Sequence, residues 1–293
     1  MSKWDGKSKG TVLGYKIFVF CIKKLGVKSA YFILYFVATY YFIFLKSSNK
    51  AIFYYFNKRC GFSFLKSKIM VFKSYYTFGQ TIIDKIAIGA GMKNKFTYEH
   101  DGGEIIVKLL EEKKGGVLIS AHMGNFEIAE HFFSEIDVNF QINLVTTDLE
   151  HSAIKKYLES ITQKPTIKFI IISDDLSHIF DINAALARNE LVCFTGDRYF
   201  EGVKSMTEKL LGQGAKFPAG PFLIASRLRV PVVFVYVMKE PNLHYHLYTR
   251  ESKAKHRDEK ALLKAYCESV EGMVKKYPLQ WFNYFDFWDE FNK

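Results

Sequence analysis

"GVLISAHMGNFEIAEHFFSEI", residues 116–136, decides how the rest of the chain is read. It opens on the second residue of a glycine pair, Gly115-Gly116, that marks the stop of the preceding segment. "GVLISA" is a short apolar run of the kind that forms a buried strand. "NFEIAEHFFSEI" spaces its apolar residues as a helix does. Between the two, His122, Gly124 and Asn125 make a corner. A strand that hands over directly to a helix is the building step of an α/β sheet.

The same alternation runs outward from this stretch. Upstream, "GEIIVKLLEEKK" has helical spacing, and "KFTYEHDG" before it is polar and turn-like. Downstream, "FQINLVTT" reads as a strand, "SAIKKYLESITQ" as a helix and "IKFIII" as a strand. "LSHIFDINAALARN" is a helix and "ELVCFTGD" a strand. "PAGPFLIASRLR" is a helix, "VPVVFVYVMK" and "YHLYTR" are strands, and "DEKALLKAYCESVEGMVKKYP" is a long helix stopped by Pro278. Alternating elements imply βαβ units, so the expected fold is α/β, with a mostly parallel sheet flanked by helices. No internal repeat and no Pro- or Gly-rich linker interrupts residues 95–293, which read as one domain.

Residues 1–94 have a different texture. "TVLGYKIFVFCI" is followed by "SAYFILYFVATYYFIFL", and the run from Ala30 to Leu45 carries no charge. That is slightly short of the roughly 20 residues a perpendicular membrane span needs. Lys23, Lys24 and Lys28 flank it on one side, Lys46 and Lys50 on the other, so the lysines assign no orientation. A membrane-embedded helix, a buried core helix and a signal peptide all compete for this segment; the late position of the run and the lack of a cleavage site weaken the last. "AIFYYFNKRCGFSFLKSKIMVFKSYYTF" mixes rings with lysines and reads as one or two amphipathic helices for the same surface.

The chain carries 41 Lys+Arg against 30 Asp+Glu, a net charge of +11. That balance favours a polyanionic neighbour. With 28 Phe and 18 Tyr beside the lysines, an anionic membrane surface fits better than nucleic acid. No zinc-finger spacing or aromatic RNA-binding signature is present. Cys21, Cys60, Cys193 and Cys267 are scattered, without a C-x-x-C pair, and suggest neither a zinc site nor a disulfide framework.

In parallel sheets, chemistry sits beyond the carboxyl ends of the strands, which is where His122 falls. Glu127 lies five residues on. Five residues turn a continuous helix by about 500°, so the pair converges only if His122 is in the turn and Glu127 in the first helical turn. Gly124 supplies the corner and Asn125 the helix start. A histidine near neutral pKa can take a proton from a hydroxyl or amine, and a carboxylate on its other nitrogen fixes the tautomer. The bland reading is that Glu127 caps a helix and His122 fills a turn. No G-x-S-x-G elbow or nearby cysteine offers an enzyme nucleophile, so the base would act directly on the substrate's own nucleophile.

"SAHMGNFEIAE" resembles the signature of the lipid A late acyltransferases, a bacterial family within the wider H-x-x-x-x-[D/E] glycerolipid acyltransferases. A second block, residues 190–237, is similar to that family in a strand-end aspartate (Asp197), a Leu211-Gly212 pair, Pro218 with Pro221, and Pro231. The ending "YPLQWFNYFDFW" resembles the family's proline-x-glutamine-tryptophan close. The resemblance covers nearly the whole chain. It implies transfer of a fatty acyl group from a thioester, usually on acyl carrier protein and otherwise on coenzyme A, to an amphipathic acceptor at the cytoplasmic (inner) membrane, with the site facing the cytoplasm. It implies His122 as general base and Glu127 as its partner, with Asp197, Arg198, Asn125 and Gly124 on the substrate side, and neither metal nor cofactor. Acyl carrier protein is acidic, which suits a basic docking surface.

Two departures bear on the acceptor. The segment after "FQINLVTT", "TTDLEHSAIKK", lacks the arginine usual in the family, and Arg198 stands where glutamine normally follows the aspartate. Arg198 reads either as an anion or head-group ligand or as an ion-pair partner. An aminolipid, or a membrane-bound pigment or polyene precursor, therefore stands beside a lipid A precursor as acceptor. Two other functions remain open: a non-catalytic membrane protein that binds lipid or acyl carrier protein, and a thioesterase. "SDD", residues 173–175, reads as a strand end approaching the site or as a cap for the next helix.

Overall fold

The computed structural model describes residues 12–129, 141–146, 167–173, 175–199 and 202–290, the side chains at 12–15, 18 and 127 excepted. The helix expected over 152–163, the later part of the one expected over 125–136, and His131 and His151 lie outside the described residues.

Strand β2 (Gly116–Ser120) is buried at every position and lies at the centre of the sheet. It pairs in parallel with β8 (Val232–Glu240) on one side and β5 (Leu191–Thr195) on the other. Beyond β5 come β3 (Ile142–Thr146) and the edge strand β4 (Lys168–Ile171), both parallel. Beyond β8 comes β9 (His244–Glu251), antiparallel, and then β1 (Thr97–Asp101). The seven-stranded sheet is therefore mostly parallel, as the alternation of elements implies.

Its two faces carry separate cores, and the period of two explains why. Val117 and Ile119, Val192 and Phe194, and Phe234 and Tyr236 pack on one face with Phe222, Tyr266 and Trp281. Leu118, Leu191, Cys193, Val233 and Val235 pack on the other, beneath Ile106 and Leu109. The covering helices are α5 (Gly103–Glu111), α6 (Ser177–Ala187), α7 (Ala219–Arg227) and α8 (Glu259–Lys276).

Two elements depart from the sequence reading. "KFTYEHDG" is not a turn: Thr97–Asp101 is β1, paired in parallel with β9 from Thr97↔His244 to Asp101↔Tyr248. As an edge strand it exposes most of its side chains, so the alternation that identifies a half-buried strand is missing. The stretch between Asp197 and Pro218, for which the sequence reading gives no strand, holds a hairpin, β6 (Ser205–Leu210) with β7 (Gln213–Pro218). Leu211 and Gly212 both take positive φ, the geometry of a two-residue hairpin turn.

The amino-terminal segment is helical: α1 (Val12–Leu25), α2 (Val27–Phe44), α3 (Lys46–Tyr54) and α4 (Phe64–Ala87). These helices share the sheet's cores, with Ala38, Ile52, Val71 and Tyr75 in one and Leu34, Ile83 and Ile86 in the other. Among the described residues, α2 is the one helix long and apolar enough to cross a membrane by length and composition, with a mean hydropathy of 1.4. It buries Leu34 and Ala38 while exposing Phe32, Tyr35, Phe36, Tyr40, Ile43 and Phe44. Phe64, Leu65 and Ile69 of α4 are exposed as well.

Candidate active site

The pairing of β2 with β5 builds the site. Ser120 is opposite Thr195 in the parallel register, and the chain goes on for two residues from each to reach His122 and Asp197. The Gly196 N–H donates to the Ser120 carbonyl at 2.9 Å, which extends the pairing past the strand ends. His122 and Asp197, 75 residues apart in the chain, thus meet at the carboxyl edge of the sheet.

Asp197 is fully buried and accepts every hydrogen bond the structure gives it. The His122 backbone N–H donates to both oxygens, at 3.1 and 3.0 Å. His122 Nδ1 lies 2.7 Å from Oδ1. Asn283 Nδ2 donates to Oδ2 at 2.7 Å. Burial by itself would raise the carboxyl; the neighbouring His122, Arg198 and Asn283 outweigh it and bring the pKa from the ordinary 3.8 down to about 2. Asp197 is therefore ionised at neutral pH. An ionised carboxylate can only accept, so the hydrogen of the neutral His122 ring sits on Nδ1 and the basic lone pair on Nε2. The His122 side chain is 28% exposed, against 1% for Asp197. A partly exposed imidazole is thus held from beneath by a buried carboxylate.

The sequence reading gives His122 a carboxylate partner in Glu127; the carboxylate that the structure places on Nδ1 is that of Asp197. The Glu127 backbone lies in the short 3-10 turn Phe126–Ile128, and its side chain lies outside the described residues. Nothing local marks Asp197 as the partner; only the adjacency of β2 and β5 does.

Gly124 and Asn125 hold the loop rather than face outward. Gly124 has φ of 62°, and a Cβ there would run into the Val237 carbonyl. Its N–H donates to the Gln280 carbonyl at 2.9 Å. Asn125 is buried. Its backbone N–H donates to the Val237 carbonyl at 2.7 Å, and its side-chain amide donates to the Thr81 carbonyl at 2.9 Å and to the Tyr245 hydroxyl at 3.3 Å. It makes no side-chain cap to the following turn. The expected helix start is thus an anchor into α4 and β9.

Arg198 has a similar task. Its Nε donates to Asn283 Oδ1 and its terminal nitrogen to the Phe282 carbonyl, both at 2.7 Å. Burial lowers its pKa to about 10 even with Asp197 alongside. It fastens the carboxyl-terminal segment over the site. That segment belongs to the site, although its aromatics read as packing or membrane-facing. Trp281 bridges Met123 in antiparallel fashion. The Phe282 N–H donates to the His122 carbonyl at 2.9 Å, and Asn283 reaches Asp197. The polar Gln280 and Asn283 inside an aromatic run are the signal that the chain holds a partner there. Asp175, by contrast, accepts from the Ser177 N–H at the head of α6, consistent with its reading as a cap. The described part of that triplet is committed to the helix.

The arrangement can deprotonate a hydroxyl or amine that reaches Nε2, and can hold the resulting imidazolium against Asp197. Comparison with known proteins bears on which reaction uses it. The family model for bacterial lipid A biosynthesis acyltransferases matches residues 7–288. No curated protein matches the chain. With nearly its whole length covered, the chain belongs to the bacterial lipid A biosynthesis acyltransferase family and is an acyltransferase, with an acyl donor and a lipid acceptor.

Proposed function

We propose that the protein transfers a fatty acyl group from a thioester, carried by acyl carrier protein, to a hydroxyl or amine of a lipid at the cytoplasmic face of the inner membrane, with His122 as general base. The carrying observation is the 2.7 Å contact of His122 Nδ1 with ionised Asp197 at the carboxyl end of β2. His122 Nε2 takes the proton as the acceptor oxygen or nitrogen attacks the thioester carbonyl. The tetrahedral intermediate collapses by breaking the carbon–sulfur bond. The imidazolium returns the proton to the departing thiolate, and an ester or amide remains. Asp197 orients the ring and stabilises its charge. Glu127 enters as a second carboxylate of the site on the strength of its place in the motif.

Two features support the membrane and carrier parts. The outward rings of α2 and the exposed Phe64, Leu65 and Ile69 of α4 form apolar surface, beside Lys46, Lys50, Lys66 and Lys68. Such surface favours the bilayer interface. The net charge of +11 favours an acidic carrier.

The test is to mix the purified protein with an acyl carrier protein thioester and membrane lipid extract and to follow products by mass spectrometry. A new acylated lipid with release of free carrier thiol is expected. Release of free fatty acid alone would make the protein a thioesterase. Binding without any acyl product would refute catalysis.

A further inference from the structure

A buried ion pair lies between the helices that carry the apolar surface and the loop that carries the base. Asp84 of α4 is fully buried, and Lys239 of β8 nearly so. Lys239 Nζ is 2.6 Å from Asp84 Oδ2 and 2.9 Å from the Tyr31 hydroxyl of α2. The Tyr31 hydroxyl donates in turn to Asp84 Oδ1. The Tyr245 hydroxyl of β9 donates to Asp84 Oδ2 at 2.6 Å. Nζ also sits 5.2 and 5.3 Å from the ring centres of Tyr31 and Tyr245, within cation–π range.

Two routes lead from this cluster to the catalytic loop, and they meet at adjacent residues. Along the first, the Asn125 side chain donates to the Tyr245 hydroxyl, which is bound to Asp84. Along the second, the Lys239 backbone N–H donates to Gln280 Oε1 at 2.8 Å, and Gln280 Nε2 donates back to the Lys239 carbonyl at 2.7 Å. The Gln280 carbonyl then accepts from the Gly124 N–H. Through these contacts the side chain of Lys239 connects to Asn125 and its backbone to Gly124, two and one positions beyond Met123, which follows the base directly.

A buried ion pair is a poor device for stability alone, because well-packed apolar residues in its place are often as stable. What a charged cluster with directional donors supplies is a fixed geometry. We propose that Tyr31, Asp84, Lys239 and Tyr245 are positioning residues for acyl transfer, tying the place of His122 to the seating of α2 and α4. This rests on His122 acting as the base. Loss of the cluster would leave donor binding in place and misplace Nε2 relative to the attacking group.

Steady-state kinetics on the full chain in lipid vesicles test this, using an acyl carrier protein thioester as donor. Tyr31→Phe and Tyr245→Phe each remove one hydroxyl and leave the ring. Each is expected to lower kcat roughly tenfold with the donor KM within about twofold, as a misplaced base would. Because both hydroxyls act through Asp84, the double variant should lose clearly less than the product of the single losses. Asp84→Leu with Lys239→Met removes both charges together, avoiding a lone buried ion; it should unfold as the wild type does and lose kcat at least as strongly. Folded variants with kcat within about twofold of wild type, losses that multiply, or a change in KM alone would overturn the proposal. An inactive wild type, or a fully active His122→Ala, would instead remove the acyl-transfer reading and this proposal with it.

Discussion

Asp197→Asn asks whether the buried carboxylate sets the reactivity of His122. The asparagine keeps the shape and removes the charge. Its oxygen can still accept one of the hydrogen bonds now made by the His122 backbone, His122 Nδ1 and Asn283. Its amide must then point somewhere. Aimed at His122, it donates to Nδ1, moves the ring hydrogen to Nε2 and leaves no base where the acceptor arrives. Aimed at Asn283, it sets two donors against each other. A buried group left unsatisfied costs about 1–3 kcal/mol, so a lower melting temperature is expected with the fold retained. The wrong tautomer removes general-base catalysis, worth about 10²–10⁴-fold in kcat. The assay is kcat for acyl transfer from pH 6 to pH 9, beside the melting temperature. Raising the pH should not restore activity, since the fault is where the hydrogen sits and not whether the ring is neutral. A folded variant with kcat within about threefold of wild type would refute the assignment of Asp197. Glu127→Gln is the companion: a loss confined to that variant would assign the orienting role to Glu127.

Acid should expose the same carboxylate in the stability of the protein. Its pKa is about 2 when folded against an ordinary 3.8, so its contribution is present above pH 4 and is lost as pH falls through about 2; urea unfolding between pH 5 and pH 2 should show a loss of about 2 kcal/mol that Asp197→Asn lacks. An equal acid loss in that variant would assign the effect elsewhere. Gly124→Ala needs a positive φ and drives a Cβ at the Val237 carbonyl; a loss of about 1–3 kcal/mol or more in chemical denaturation, with a matching fall in kcat, is expected, and an unchanged melting curve would count against the loop geometry. Phe32→Asp with Phe36→Asp places two charges on the exposed face of α2; each ring is worth about 1.5–3 kcal/mol when buried, so flotation with anionic vesicles should fall sharply. Undiminished flotation would contradict the proposed membrane face.

How much of this was readable beforehand follows from the distance over which each feature is encoded. The strand before His122 is local: five apolar or small residues after a glycine pair show it. Gly124 is local too, because a corner between strand and helix calls for positive φ. The contact of His122 with Asp197 is not, since Asp197 arrives through the β2–β5 register. The edge strand β1 lacks a buried face and so lacks a pattern. The hairpin β6–β7 is short and surface-exposed at alternate positions, and its Leu-Gly turn reads as a loop. Lys239 looks like the polar end of an apolar strand, and Asp84 like the solvated face of an amphipathic helix. Only the packing of α4 against β8 makes them a buried pair. Arg198 reads as an anion ligand or an ion-pair partner from its neighbours in the chain; its bond to the carbonyl of Phe282, 84 residues away, is visible only in the fold.

His122→Ala bears on the central claim most directly. The purified variant, shown to be folded by its melting curve, is given the acyl carrier protein thioester and lipid extract, and the acylated lipid is counted by mass spectrometry. Loss of the base should cut product formation by about 10²–10⁴-fold. Acylated lipid formed at close to the wild-type rate would contradict the account.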